Sequence, residues 1–144
     1  MQAPDLTTAF ERFYSEELPR LVPMLHAYTG DRGRAEDLAQ EALSRAHREW
    51  ATVSTYQRPG AWVRRVALNL ASNAARKSQR EQRALRRLRS VQIVELPAQD
   101  LRLWSLVREL PEQQRAAVVL HYVEDRSVAE VADVLEISDG TVKT

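Results

Sequence analysis

Apolar side chains recur at intervals of three and four along most of this chain, the spacing of one helix face. Phe10, Phe13, Tyr14, Leu18, Leu21, Leu25 and Tyr28 predict a first helix over about residues 7–28. Pro19 and Pro23 fall inside it and predict a kink or a fresh start. Thr29-Gly30-Asp31 reads as a stop followed by an N-cap. A second helix follows to about Trp50. Leu38, Ala39, Ala42, Leu43, Ala46 and Trp50 form its apolar stripe, and Glu36, Asp37, Gln40, Glu41, Arg45 and Arg48 its polar side. Glu41 and Arg45 are spaced for an i,i+4 ion pair. Residues 51–60 are rich in turn formers and strand Tyr56 among them. The third helix, about residues 61–89, is the most informative. Trp62, Val63, Val66, Ala67, Leu70, Ala71 and Ala74 make its apolar stripe. Arg65, Asn69, Ser72, Asn73, Arg76 and Arg80 fall opposite, and Lys77, Arg83, Arg86 and Arg87 extend the charge.

The pattern breaks around Pro97, and residues 89–100 read as a linker between two small domains, 1–88 and 101–144. A short helix with Trp104 is expected over 101–110. Pro111 then sits where a first helical position belongs, with Glu112 behind it. Val118, Val119 and Tyr122 face inward on the helix it opens. Ser127-Val128-Ala129-Glu130 reads as a capping box. Val128, Val131, Ala132 and Leu135 are inward on the next helix, Glu136-Ile137 makes a turn, and Ser138 is a new N-cap. Eight helical residues, a short turn and a new helix start form a helix-turn-helix pattern. The expected fold class is all-α: two small helical domains joined by a linker.

Composition narrows the possibilities. Among 144 residues there is no cysteine, which excludes disulfides, thiolate zinc sites and cysteine nucleophiles. No apolar run approaches the ~20 residues of a membrane span, so no membrane insertion is expected. Met1-Gln2-Ala3-Pro4-Asp5 lacks a basic start and an apolar stretch, unlike a signal peptide. A soluble cytoplasmic protein is expected.

Net charge is only +1, but it is unevenly spread. Residues 61–90 hold nine basic and one acidic side chain, whereas residues 91–144 hold five basic and ten acidic. Such asymmetry points to a polyanion partner for one segment. Arg outnumbers Lys by 19 to 2. That suits phosphate binding and equally suits an Arg-biased codon usage, so the location of the charge is the better evidence. Arg contacts phosphate, and Asn can bond an adenine edge in bidentate fashion.

Four motifs in order resemble the extracytoplasmic-function sigma factors, small bacterial RNA polymerase specificity subunits. Residues 34–43, RAEDLAQEAL, look like that family's core-binding helix. Residues 61–70, AWVRRVALNL, look like its promoter-melting helix. Residues 110–115, LPEQQR, look like the opening of its C-terminal domain, and residues 127–143 like its second DNA-binding motif.

The resemblance implies roles. Asp37, Gln40 and Glu41 would dock on the polymerase core enzyme. The 51–60 loop, with Tyr56 and Trp62 near it, would receive a base flipped from the minus-ten element. Arg65, Asn69, Asn73, Arg76, Lys77 and Arg80 would hold promoter DNA. Ser138, Thr141 and Lys143 would read the minus-thirty-five element. An anti-sigma factor is a possible further partner. In the family the recognition helix runs on beyond Thr141 and is basic. Here it stops at Thr144 with Lys143 as its single cation, so an incomplete recognition helix is expected.

Two rival readings stand beside this one. The chain could be a polymerase- or anti-sigma-binding module that does not direct initiation, or a helix-turn-helix repressor. The second would place DNA affinity in residues 127–144, away from the basic segment. There is no Gly-rich phosphate loop, Gly-x-Ser-x-Gly elbow or His-Glu-x-x-His pair. His121 and Glu124 share a helix face but lack further metal ligands. Neither an enzyme, a metal nor a cofactor is expected.

Overall fold

Two prolines fail to break the first helix. In the computed structural model, which describes residues 6–86, 99–136 and 139–143, α1 runs unbroken through Leu6–Thr29. The expected kink or restart is therefore corrected. Pro19 and Pro23 are both exposed, so water can satisfy the carbonyls each leaves free one turn earlier. Gly30, at φ +78°, ends α1 in the left-handed region that glycine reaches without strain. Asp31 then caps α2 (Arg32–Arg48), its side chain accepting from the Arg34 amide at 3.1 Å.

Ala35, Ala39, Ala42 and Ala46 are fully buried along one side of α2. Their small side chains let α1 and α2 approach closely, and this is the most extensive helix pairing described. The expected loop after Trp50 begins instead with a single helical turn, α3 (Trp50–Val53). Trp50 is buried there against Phe10 and Phe13. α4 (Pro59–Arg86) opens two residues earlier than its pattern suggests and packs on α1 and α2. Val63, Ala67, Leu68 and Ala71 are its buried apolar positions.

The expected linker lies outside the described residues except for its last two positions, which begin α5 (Gln99–Val107). α6 (Glu112–Tyr122) follows, with Pro111 at the N-cap rather than inside the helix. The Ser127–Glu130 capping box forms in both directions and opens α7 (Val128–Leu135). Glu136, left-handed at φ 57°, ends α7. α8 (Asp139–Lys143) completes the described chain, and every regular element among the described residues is helical.

The C-terminal helices do not stand apart. Val119 and Leu120 of α6 and Val131 and Val134 of α7 join one continuous apolar core with α1, α2 and α4. Arg115 lies over the Tyr28 ring at 4.8 Å. The Tyr28 hydroxyl shares a 2.7 Å hydrogen bond with Ser72 of α4. Burial pushes the Tyr28 phenol above its ordinary value.

Candidate functional site

At 100° per residue, α4 spreads its predicted face over an arc of about 120°. Arg65 and Arg76 mark one edge, Asn69 and Arg80 follow, and Asn73 and Lys77 lie furthest round. The structure divides this face in two. Asn69, Asn73, Lys77 and Arg80 are exposed, spaced along about 16 Å of helix.

Arg65 and Arg76, in contrast, meet the C-terminal helices. Arg65 is half-buried. Its Nε and Nη2 donate to the Val134 and Asp133 carbonyls, both at 2.9 Å, and its Nη1 lies 3.2 Å from Glu136. Arg76 forms a two-pronged pair with Glu112, at 3.0 and 2.7 Å. Glu112 holds the Arg76 guanidinium above its already high ordinary value. Ser72, placed on the polar side by its spacing, is buried by its bond to Tyr28.

Two further arginines belong to the seam, and the helical pattern did not single them out. Arg64 is 1% exposed and lies between α1 and the α6–α7 connection. Its Nε donates to both Glu124 oxygens, at 3.0 and 2.8 Å, and its Nη1 donates to the Gly60 carbonyl at 2.9 Å. The same Nη1 is 2.7 Å from Glu17, a contact that lacks hydrogen-bond alignment and is chiefly coulombic. Arg58 pairs with Asp133 at 3.3 Å. The signal in the sequence was the opposite sign of its basic and acidic segments, which periodicity cannot convert into pairs.

Tyr56 and Trp62 do come together. Their ring centroids are 6.3 Å apart, tilted by 50°. They line a cleft of about 570 Å³ with Gln57, Arg58, Arg65 and Asp133. Tyr56 is exposed and Trp62 half-buried, so both ring surfaces border solvent.

Asp37, Gln40 and Glu41 are all exposed on α2. Gln40 accepts from the Tyr14 hydroxyl at 2.9 Å, and Glu41 is held by Arg45 and Arg48, including the expected i,i+4 pair. Thr141 is exposed on α8. Ser138 and the Lys143 side chain lie outside the described residues. No group of three or more His, Asp or Glu side chains that could hold a metal is found among the described residues.

Comparison with known proteins adds to this geometry. Residues 13–81 match the family described as Sigma-70 region 2, and residues 100–144 that described as Sigma-70, region 4. The chain is 31% identical over 146 residues to the ECF RNA polymerase sigma factor BldN of Streptomyces coelicolor, covering 94% of this chain and 55% of that protein. It is 29% identical to the RNA polymerase sigma-E factor of the same organism, covering 94% and 78%. It is 25% identical to the ECF RNA polymerase sigma factor SigW of Bacillus subtilis, covering 87% and 76%. Its fold is similar to that of the sigma factor RpoE from Bartonella quintana, solved with the anti-sigma factor NepR. The TM-score is 0.73 at 23% identity, over 94% of this chain and 88% of that one.

Proposed function

Since the chain belongs to the extracytoplasmic-function family of RNA polymerase sigma factors, we propose that it directs core polymerase to promoters and starts transcription there. The observation that carries this reading is the exposed row Asn69, Asn73, Lys77 and Arg80 beside the Tyr56–Trp62 cleft. Cations along the row neutralise phosphates without reading sequence. The two asparagines offer donors and acceptors to base edges. An aromatic cleft compensates a base for leaving its stack, at ~1–3 kcal/mol per base. Together these groups can hold a separated strand.

In this proposal α2 meets the polymerase through Asp37, Gln40 and Glu41. α7 and α8 carry the upstream contacts, with Ser138, Thr141 and Lys143 the residues in the family's reading positions. An anti-sigma factor is a further partner. The polymerase performs the bond-making, and the chain is not an enzyme. It works in the cytoplasm, where the polymerase is. No helix among the described residues is long and apolar enough to cross a membrane.

Transcription with purified core enzyme on a randomised promoter pool tests the reading. RNA with a defined start, dependent on this chain, is expected. Asn69→Ala with Asn73→Ala should lower strand opening at least tenfold and leave core binding unchanged. Core binding without promoter-specific RNA would instead make the chain an interaction module.

A further inference from the structure

We propose that Tyr14 of α1 is a positioning residue for polymerase docking: it holds the Gln40 amide by its oxygen, so that α2 presents hydrogen-bond donors beside one bare carboxylate, Asp37. This rests on the proposal that α2 meets the polymerase. The Tyr14 hydroxyl donates to Gln40 Oε1 at 2.9 Å, between residues 26 positions apart. A primary amide carries one acceptor oxygen and two donor hydrogens. With the oxygen engaged by α1, both hydrogens are left for a partner. Among the described residues, no other side-chain hydrogen bond engages Gln40.

Tyr14 holds this amide from a braced ring. Phe10, one turn earlier on α1, lies 6.2 Å from it between centroids. Phe10 in turn stands edge-on to buried Trp50 at 5.5 Å and packs on His47 of α2 at 4.7 Å. The rings run from the core to the rim where α1 meets α2. The hydroxyl at their end is fixed, and it fixes a long, flexible side chain before any partner arrives. An amide ordered in advance loses less freedom on binding.

The acids of the same face are not equivalent. Glu41 Oε1 is shared by Arg45 Nε at 3.2 Å and Arg48 Nη2 at 3.5 Å. Glu36 is paired with Arg32. Among the described residues, no ion pair reaches Asp37, which is exposed one turn from Gln40. A cation on the partner would meet Asp37 without displacing anything, but at Glu41 it would compete with two arginines. The polymerase surface that fits has a cation opposite Asp37 and carbonyl or carboxylate oxygens opposite Gln40.

Titration of the full chain against purified core enzyme tests this with Tyr14→Phe, Gln40→Ala and the two combined. Tyr14→Phe keeps the ring and removes only the hydroxyl. It should weaken core binding about fivefold, the worth of one hydrogen bond. In the Gln40→Ala background the same change should cost nothing further, because the hydroxyl then has no amide to hold. Gln40→Glu keeps an acceptor toward Tyr14 and lacks the amide hydrogens, so it should bind no better than Gln40→Ala. Asp37→Asn should lose more affinity than Glu41→Gln.

An equal loss from Tyr14→Phe in both backgrounds would overturn the proposal, since the hydroxyl would then act independently of Gln40. No loss from Tyr14→Phe, beside a clear loss from Gln40→Ala, would also overturn it and leave α2 as the docking helix. Gln40→Glu at parent affinity would overturn the presented donors. A greater loss from Glu41→Gln than from Asp37→Asn would overturn the bare carboxylate. Parent affinity in both Gln40→Ala and Asp37→Asn would instead remove α2 as the docking helix, and this proposal with it.

Discussion

Among the described residues, Arg64 is the one charged side chain in the buried class. It is buried among Glu17, Glu124 and the Gly60 carbonyl, so its removal strands two carboxylates with little access to water. Breaking a buried pair from one side costs ~3–5 kcal/mol. Arg64→Ala should therefore lose about that much stability in urea unfolding. A loss below 1 kcal/mol would mean the cluster is solvated. Gly60→Ala should perturb the same cluster more gently, because the added carbon would lie 3.2 Å from both the Arg64 and Glu17 side chains. Tyr28→Phe should cost ~1–3 kcal/mol by leaving the buried Ser72 hydroxyl without its partner. Replacing both, Tyr28→Phe with Ser72→Ala, should recover part of that loss.

At the scale of elements, α7 depends on its first turn. The Ser127 hydroxyl accepts from the Glu130 amide at 3.1 Å, and the Glu130 carboxylate accepts from the Ser127 amide at 3.2 Å. Ser127→Ala should cost ~1 kcal/mol in thermal melts. The Ser127 amide, followed by Arg126, holds the Glu130 carboxyl below its ordinary value. The stability this contributes is present above the carboxyl's unfolded value. It is lost as pH falls through the lower folded value. The gap in melting temperature between the parent and Glu130→Gln should therefore narrow on acidification. A gap that widens in acid would reverse the sign.

This box was legible in the sequence because its partners are three residues apart. So were the α1 stop at Gly30, the Asp31 cap and the Glu41–Arg45 pair. The seam was not legible, since Arg65 meets Val134 and Arg76 meets Glu112 only after the chain returns on itself. Periodicity assigns a residue to the polar side of its own helix. It does not say whether water, DNA or another helix lies there. Ser72 shows the same limit: its spacing was polar, but Tyr28 supplied a buried partner.

For the whole molecule, the continuous core joins halves that the sequence divided at a linker. Val119, Leu120, Val131 and Val134 are buried in the same cluster as Leu25, Leu43 and Val63. Unfolding by urea should be a single transition, with tryptophan fluorescence and far-ultraviolet circular dichroism coincident. Leu120→Ala should lower stability by ~2–5 kcal/mol and move both signals together. Two separated transitions would show that the halves melt independently.

The order of synthesis adds a final consequence of this shared core. α1 to α4 are synthesised before α6 and α7, yet part of their apolar surface is shaped to receive them. Some 50 residues separate the end of α4 from the end of α7, which takes ~3–10 s to translate. During that interval the nascent N-terminal half carries a bare greasy floor beside a fully uncovered row of arginines. A newborn chain is therefore stickier, toward chaperones and nucleic acid alike, than the finished one.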